Sequence, residues 1–229
     1  MGANMVRRLT SDEHEIVAYD VLHQVAVDLA DELSGVEVAD NLRDLLVSLP
    51  FPRVVWLMVP HQYVDSMIDE LLSNGLSAGD VVIDGGNSNF KLSQQRGESL
   101  GEQGVHFIDS GTSGGVWGLE NGYSLMVGGT DAAIKIVEPV LKSLAPADDR
   151  GWGHVGPVGA GHYVKMVHNG IEYGMMQAFA EGFELMKEKS ELELDVHQVS
   201  RIWQHGSVVR SWLLDLIADA LEQGIDMQT

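Results

Sequence analysis

The chain has 229 residues, of which 45% are hydrophobic and 21% charged, so it can form one large or two small domains with a substantial core. These values exclude a disordered or fibrous protein, and no apolar run reaches the roughly 18 residues of a membrane span. The net charge of -20 argues against nucleic acid or a membrane surface as partner, and the absence of cysteine excludes disulfides and cysteine-ligated zinc.

The first two thirds of the chain alternate short apolar segments with amphipathic ones. The apolar segments predict strands at 16–19, 36–38, 54–59, 81–84, 105–109 and 123–127. The amphipathic segments predict helices at 2–10, 22–33, 62–74, 90–103 and 131–143. This alternation indicates an α/β fold with a doubly wound, mostly parallel sheet, whose functional residues lie at the carboxyl ends of the strands.

The pattern changes near residue 150, where a short polar segment interrupts it. From residue 159 onward only helical periodicity remains, and it predicts helices at 160–188, 195–205 and 208–223. We therefore expect a sheet domain at 1–155 and an all-α domain at 156–229.

Asp20 ends the first predicted strand. In a dinucleotide-binding fold, an acidic residue at this place accepts hydrogen bonds from the ribose hydroxyls and repels a 2′-phosphate. No arginine follows closely, since the next residues are Val-Leu-His-Gln. The alternative is an ordinary aspartate that closes a turn.

Two glycine-rich segments follow later strands. Asn87, within Asp-Gly-Gly-Asn-Ser at 84–88, offers a donor and an acceptor to a sugar hydroxyl, or simply occupies a turn. The run Gly-Thr-Ser-Gly-Gly at 111–115 presents N–H groups and hydroxyls that suit an anion, although a flexible loop explains it equally well.

The segment 156–173 is the most informative. Lys165, Asn169 and Glu172 are spaced i, i+4 and i+7 on the predicted helix, with His168 beside them, so they share one stripe. If the helix is largely buried, the pKa of the lysine falls and that of the glutamate rises, giving a base and an acid. A solvent-facing stripe is the alternative. The apolar residues off the stripe are expected to pack: Met166, Val167, Ile171 and Met175.

Two further points concern charge and metals. Arg210 is the only cation between residues 202 and 229, and it either binds a phosphate or balances Asp215. The histidines show no metal-ligand spacing with acidic residues, so we predict no metal site.

These motifs resemble the decarboxylating 6-phosphogluconate dehydrogenases of the β-hydroxyacid dehydrogenase superfamily. The run 156–169 matches the superfamily pattern G-x-x-G-x-G-x-x-x-K-x-x-x-N at every fixed position. The segments His-Asn-Gly-Ile-Glu-Tyr at 168–173, Asp-Gly-Gly-Asn-Ser at 84–88 and Ser-Gly-Gly at 113–115 are typical of the phosphogluconate branch. The resemblance implies a Rossmann-like NAD-binding domain, then a helical substrate and dimerisation domain, in a cytoplasmic homodimer or higher homo-oligomer.

The resemblance also implies a reaction and its residues. It is the oxidative decarboxylation of 6-phosphogluconate to ribulose 5-phosphate, with Lys165 as general base and Glu172 as the acid that protonates the enediol. The implied substrate-binding residues are Asn87, Ser113, Gly114, Gly115, His168, Asn169, Tyr173 and Arg210. The implied cofactor-binding residues are Gly2, Ala3, Asp20, Met58, Val59 and Asn87. Asp20 favours NAD over NADP, because the NADP enzymes of the family have Asn-Arg-Thr there.

The chain departs from the family at both ends. It begins at Met-Gly-Ala-Asn-Met, after the family's first strand and first two glycines, and stops before the closing helices. We therefore expect a fragment whose activity is reduced. Three alternatives stay open: a dehydrogenase of a small unphosphorylated hydroxy acid, a non-catalytic nucleotide-binding protein, and an inactive truncated fragment.

Overall fold

The computed structural model describes residues 1–224. The chain divides into two compact units, Met1–Met166 and Val167–Thr229. The boundary lies within the long helix α8 (Ala160–Glu188), which was predicted at 160–188. No helix within residues 1–224 is both long and apolar enough to cross a bilayer.

The first unit contains seven strands and seven complete helices, as well as the start of α8. The strands are β1 (Ile16–Ala18), β2 (Val36–Val38), β3 (Val54–Leu57), β4 (Val81–Asp84), β5 (His106–Ser113), β6 (Ser124–Gly128) and β7 (Trp152–Gly156). The helices are α1 (Gly2–Ser11), α2 (His23–Glu32), α3 (Leu42–Ser48), α4 (Val64–Ser73), α5 (Phe90–Glu102), α6 (Gly118–Asn121) and α7 (Asp131–Leu144).

The strands form two sheets. β1 and β2 pair in parallel, and the other five form a sheet in the order β3-β4-β5-β6-β7. Within this larger sheet only the β5–β6 pair is antiparallel. The predicted mostly parallel α/β class is therefore confirmed.

The core lies on both faces of the larger sheet. Val81, Val82 and Ile83 of β4 are completely buried, and successive residues belong to different apolar clusters. Since alternate side chains of a strand point to opposite faces, the sheet separates these two clusters. Burial on both faces explains why β4 reads as a continuous apolar run.

In the first unit, α3, α6, β5 and β7 differ most from the prediction, and the four-residue helix α6 was missed. Helix α3 was missed; it begins at a local cap, in which the Asn41 side chain accepts the Asp44 N–H. Strand β7 was missed because it is glycine-rich, and it pairs with β6 through a register shift. β5 extends to Ser113 and is paired with β6 over its last residues, so 111–113 form a strand rather than a flexible loop.

The second unit is helical, as predicted. It contains the rest of α8, then α9 (Val196–Trp203) and α10 (Trp212–Glu222). Phe183 is 1% exposed and its ring centroid lies 5.7 Å from that of Trp203, so this pair joins α8 to α9. The last helix was predicted to start at 208 but starts at Trp212, where the Ser211 side chain caps it by accepting the Leu214 N–H.

Candidate active site

Asp20 lies two residues beyond β1 and is half-buried. Its Oδ1 accepts the backbone N–H of Leu22 at 2.8 Å, so the carboxylate closes the turn into α2. Asp20 therefore has the turn-closing role that was the alternative in the sequence analysis. The hydrogen bond uses only one carboxylate oxygen, so a second role at a ribose is compatible with it and stays a prediction.

The turns after β3 and β4 lie against each other. A Cβ on Gly85 would overlap Trp56 Nε1 and lie 2.9 Å from Met58 Sδ. A Cβ on Gly86 would lie 3.1 Å from the carbonyl oxygen of Val59. Glycine is thus required at position 85, and a side chain at position 86 would be tight. The structure brings Met58 and Val59 close to the turn that carries Asn87.

Asp84 shapes that turn and is completely buried. Its Oδ1 accepts the Gly86 N–H at 3.1 Å, and its Oδ2 accepts the Ser88 hydroxyl at 2.6 Å and Arg96 Nη1 at 3.1 Å. Asn87 itself is exposed. A polar side chain is therefore presented to solvent by a turn whose neighbours are fixed inside the protein.

Arg96 connects this turn to helix α4. Its Nε donates to Asp65 Oδ1 at 2.6 Å and its Nη2 to Oδ2 at 3.1 Å, which is a bidentate pair. The hydrogen bond from Arg96 lowers the pKa of the Asp65 carboxyl from its ordinary value of 3.8. Our sequence reasoning missed Arg96; no local signal marks a buried arginine in an otherwise amphipathic helix.

The segment 113–115 leaves the end of β5. Ser113 is the last strand residue and pairs with Ser124, while Gly114 and Gly115 have φ of +138° and +54°. Both angles are in the region that favours glycine, so the chain turns sharply here. The Ser113 and Gly114 positions are half-buried and Gly115 is exposed.

The start of α8 rests on β5 and β6. Gly159 has φ of +94°, and a Cβ on Gly161 would overlap the carbonyl oxygens of Asp109 and Met126. These contacts explain two glycines of the motif, one by its backbone conformation and one by close approach. Lys165 lies one turn further along α8 and is half-buried.

Four of the predicted residues of the second unit lie on α8. His168 Nδ1 is 3.2 Å from Asn169 Oδ1 and 3.6 Å from Glu172 Oε2, so these three side chains form one polar cluster. All three are half-buried, whereas Tyr173 is 68% exposed. These residues and Lys165 all belong to the predicted helix α8, and their common role at one site stays a prediction.

The expected burial of α8 around Lys165 is wrong. The residues expected to pack are exposed, by fractions between 37% and 59%: Met166, Val167, Ile171 and Met175. The apolar side of the helix is therefore largely exposed along this stretch, while its polar stripe is half-buried. An apolar residue predicts packing only if another element covers it, and a helical period cannot show whether one does.

Arg210 lies in the turn before α10. Its Nε donates to the carbonyl oxygen of Gln204 at 2.9 Å, while Gln204 Nε2 donates to Asp215 Oδ1 at 3.0 Å. Arg210 and Asp215 thus share a partner, and the question of a phosphate at Arg210 stays open. Within residues 1–224 no three His, Asp or Glu side chains are arranged to hold a metal ion.

Comparison with known proteins matches both parts of the chain to one family. Residues 1–156 match the model of the NAD-binding domain of 6-phosphogluconate dehydrogenase, and residues 161–195 match that of its C-terminal domain. The NAD(+)-dependent, decarboxylating 6-phosphogluconate dehydrogenase of Haloferax volcanii is 44% identical over 99% of this chain and 74% of its own length.

More distant relatives are also 6-phosphogluconate dehydrogenases. The NADP(+)-dependent decarboxylating enzyme of Bacillus subtilis is 36% identical, over 96% of this chain and 48% of its own length. The solved Plasmodium falciparum 6-phosphogluconate dehydrogenase is 31% identical with a TM-score of 0.88, over 96% of this chain and 49% of that one. This chain spans about half the length of these two. It belongs to the 6-phosphogluconate dehydrogenase family and has that family's NAD-binding fold.

Proposed function

We propose that the protein converts 6-phosphogluconate to ribulose 5-phosphate and carbon dioxide, with reduction of NAD. The observation that carries the proposal is the seating of Lys165. A Cβ on Gly111 of β5 would overlap Lys165 Cβ, so this lysine is held against the strand that ends at the Ser-Gly-Gly turn. A fixed lysine beside an anion-binding turn suits the oxidation of a hydroxy acid.

The residues at the cofactor side fit a dinucleotide. Helix α1 has no acidic residue in its first turn and no side-chain cap, which suits a pyrophosphate at its N–H groups near Gly2 and Ala3. A Cβ on Gly2 would lie 3.4 Å from Met58 Cβ, so the start of α1 packs beside the turn after β3. Asp20 would hold the ribose and disfavour NADP, and Val59 and Asn87 would line the nicotinamide side. NAD, when bound, supplies the hydride acceptor.

Lys165 would act twice. As the neutral amine it takes the proton of the C3 hydroxyl while C3 is oxidised to a ketone. As the resulting ammonium it hydrogen-bonds the new carbonyl oxygen. The C1–C2 bond then breaks, carbon dioxide leaves, and the electron pair forms the enediol, whose oxygen takes the proton of Lys165. Glu172 would complete the reaction by protonating C1 of the enediol, while neutral Lys165 takes back the proton of the enediol oxygen, which gives the ketose.

The remaining predicted residues would bind the sugar acid. Ser113 to Gly115 and Asn87 belong to the first unit, and His168 and Asn169 to the second. Tyr173 and Arg210 would bind the phosphate, because a phenol and a guanidinium both donate hydrogen bonds to phosphate oxygens. We further propose a homodimer or higher homo-oligomer that works in the cytoplasm.

A substrate panel tests this function. The protein as its gene encodes it is assayed with 6-phosphogluconate, gluconate and 3-hydroxyisobutyrate, each with NAD and with NADP. We expect NADH and carbon dioxide in equal amounts from 6-phosphogluconate alone. Preferential oxidation of an unphosphorylated acid would instead identify a dehydrogenase of small hydroxy acids and refute the proposed substrate.

A further inference from the structure

Asp109 is a completely buried carboxylate in the middle of β5. Its Oδ1 accepts the backbone N–H of Gly159 at 2.6 Å, and its Oδ2 accepts that of His162 at 2.7 Å. These N–H groups belong to the start of α8, where Gly159 has no side chain with which to cap the helix. The strand therefore supplies the cap from 50 residues away.

A second contact on the same strand lies under Lys165. Asp109 and Gly111 are two residues apart, so they face the same side of β5. A Cβ on Gly111 would lie 2.7 Å from the Gly161 carbonyl oxygen and would overlap Lys165 Cβ. Thus β5 holds the first turn of α8 through a carboxylate and the next turn through bare backbone.

The charge of Asp109 is balanced mainly by these backbone N–H groups. His162 Nδ1 lies 3.9 Å from Asp109 Oδ2, but the same nitrogen is 2.7 Å from Ser93 Oγ. A relay from serine through histidine to aspartate needs both ring nitrogens, so this trio is not a nucleophile with its base. What remains is a carboxylate at the positive end of a helix, which is a stabilising arrangement.

We infer that Asp109 is a positioning residue for Lys165. Asp109 fixes the start of α8 on β5, and the helix then holds the lysine at one place. The inference rests on the proposed function only in taking Lys165 as the base. Asp109 is completely buried and would touch neither substrate nor cofactor. Its effect on the reaction would therefore pass through the helix.

Asp80 provides a matched control. It is also completely buried, and its carboxylate accepts the backbone N–H groups of Arg53 and Ser77, each at 2.9 Å. It precedes β4, at the amino end of the strands, and no candidate site residue lies in the turns that it closes. Asn at either position keeps the shape but replaces one acceptor oxygen by an NH₂ that faces an N–H.

The experiment compares Asp109→Asn with Asp80→Asn. For Asp109→Asn we expect kcat with 6-phosphogluconate to fall about 10-fold to 100-fold, while KM and the Kd of NAD stay within about twofold. Asp80→Asn should lower the unfolding temperature to a similar degree and leave kcat unchanged. Wild-type kcat in Asp109→Asn, or equal losses of kcat in both variants, would overturn the inference.

A second readout does not depend on the reaction. The rate at which trinitrobenzenesulfonate modifies Lys165 is followed by peptide mass spectrometry. A loosened α8 should be modified about threefold faster or more in Asp109→Asn and at the wild-type rate in Asp80→Asn. This result would support the positioning role even if the wild-type protein did not oxidise 6-phosphogluconate, and equal rates in all three proteins would refute it.

A second pair of variants is used if Asp109→Asn does not fold. Asp109→Glu and Asp80→Glu then replace the two asparagine variants, because glutamate keeps both acceptor oxygens and moves them by one methylene. We expect the same split between the two sites, with loss of kcat only at position 109. Full activity in a folded Asp109→Glu protein whose Lys165 is modified at the wild-type rate would contradict the inference.

Discussion

Asp80 precedes β4 and Asp84 is its last residue; both are completely buried, yet they lie at opposite ends of the sheet. Each accepts a hydrogen bond from one arginine, Asp80 from Arg53 at 3.0 Å and Asp84 from Arg96 at 3.1 Å. At the amino end, Asp80 and Arg53 join the segments that lead into β3 and β4. At the carboxyl end, it fixes the turn that carries Asn87.

The difference shows how one kind of interaction does two tasks. A buried carboxylate that accepts backbone N–H groups holds neighbouring segments together wherever it occurs. Only at the carboxyl end are the segments so held the ones that bear candidate site residues. Equal losses of stability at the two ends should therefore accompany unequal losses of function, and the following variants test that expectation.

Among variants that keep every proposed catalytic residue, the largest effect is expected for Gly111→Ala. The added methyl would overlap Lys165 Cβ and approach the Gly161 carbonyl oxygen, so α8 must shift away from β5. We expect kcat to fall about 100-fold, with a loss of about 1–3 kcal/mol of stability. Gly101→Ala in α5 is the control, because a Cβ there has nothing within 4 Å. The stability of this variant should be unchanged or slightly higher. Unchanged kcat in Gly111→Ala would contradict the proposed seat of α8.

The next effect concerns Asp84→Asn against Asp80→Asn. Asp84→Asn weakens the partner of the buried Arg96 and Asp80→Asn that of the half-buried Arg53. Because both carboxylates are themselves completely buried, we expect about 2–4 kcal/mol of destabilisation at either position. Only Asp84→Asn should also weaken NAD binding, by about 10-fold, because it releases the turn of Asn87. Calorimetric titration of NAD into each folded variant measures this. Equal NAD affinities would show that the turn does not depend on Asp84.

A smaller effect is expected at Asp20. Asp20→Asn keeps an acceptor for the Leu22 N–H but removes the charge that repels a 2′-phosphate. The ratio of kcat/KM for NADP to that for NAD should rise about 10-fold. Asp40→Asn, an exposed acidic residue shortly after β2, should leave the ratio unchanged. An unaltered ratio in both variants would remove Asp20 from the cofactor site.

The smallest effect is expected at Asp65, whose carboxylate is exposed but paired with Arg96. Asp65→Asn should cost about 0.5–1 kcal/mol near pH 7, measured by urea unfolding. The pKa of Asp65 is lowered in the folded protein, so the unfolded chain binds this proton at higher pH. The stabilisation is therefore full above the ordinary pKa of 3.8 and is lost as pH falls through the folded value.

The pH dependence gives a direct check of that sign. The stability difference between the wild-type protein and Asp65→Asn should be smaller at pH 3 than at pH 7. A difference that grows on acidification would rule out the pairing with Arg96 as its origin.

Much of the sheet unit could be predicted from the sequence, because its strands are short apolar runs and its helices have clear periods. The buried carboxylates could not be interpreted in the same way. Asp84 and Asp109 ended predicted strands, so their position suggested ligand contacts. Their partners, such as Arg96 and the Gly159 N–H, lie 12 and 50 residues away, and only the fold brings them together.

The motif on α8 also contains one feature that could be predicted and one that could not. The spacing placed Lys165 and Glu172 on one helix, because a helical period relates residues through their sequence separation alone. The exposure of Met166 and Ile171 could not be read from that number, because it depends on what covers the helix. Strand β7 was missed for a related reason: its pairing with β6, not its own composition, makes it a strand.

The most direct test of the proposed function is the activity of Lys165→Met. NADH formation and carbon dioxide release from 6-phosphogluconate are measured together, with Lys135→Met, an exposed lysine of α7, as control. We predict a fall in kcat of about 1,000-fold or more for Lys165→Met, with substrate binding retained, and no change for the control. A Lys165→Met protein that releases both products at the wild-type rate would contradict the account.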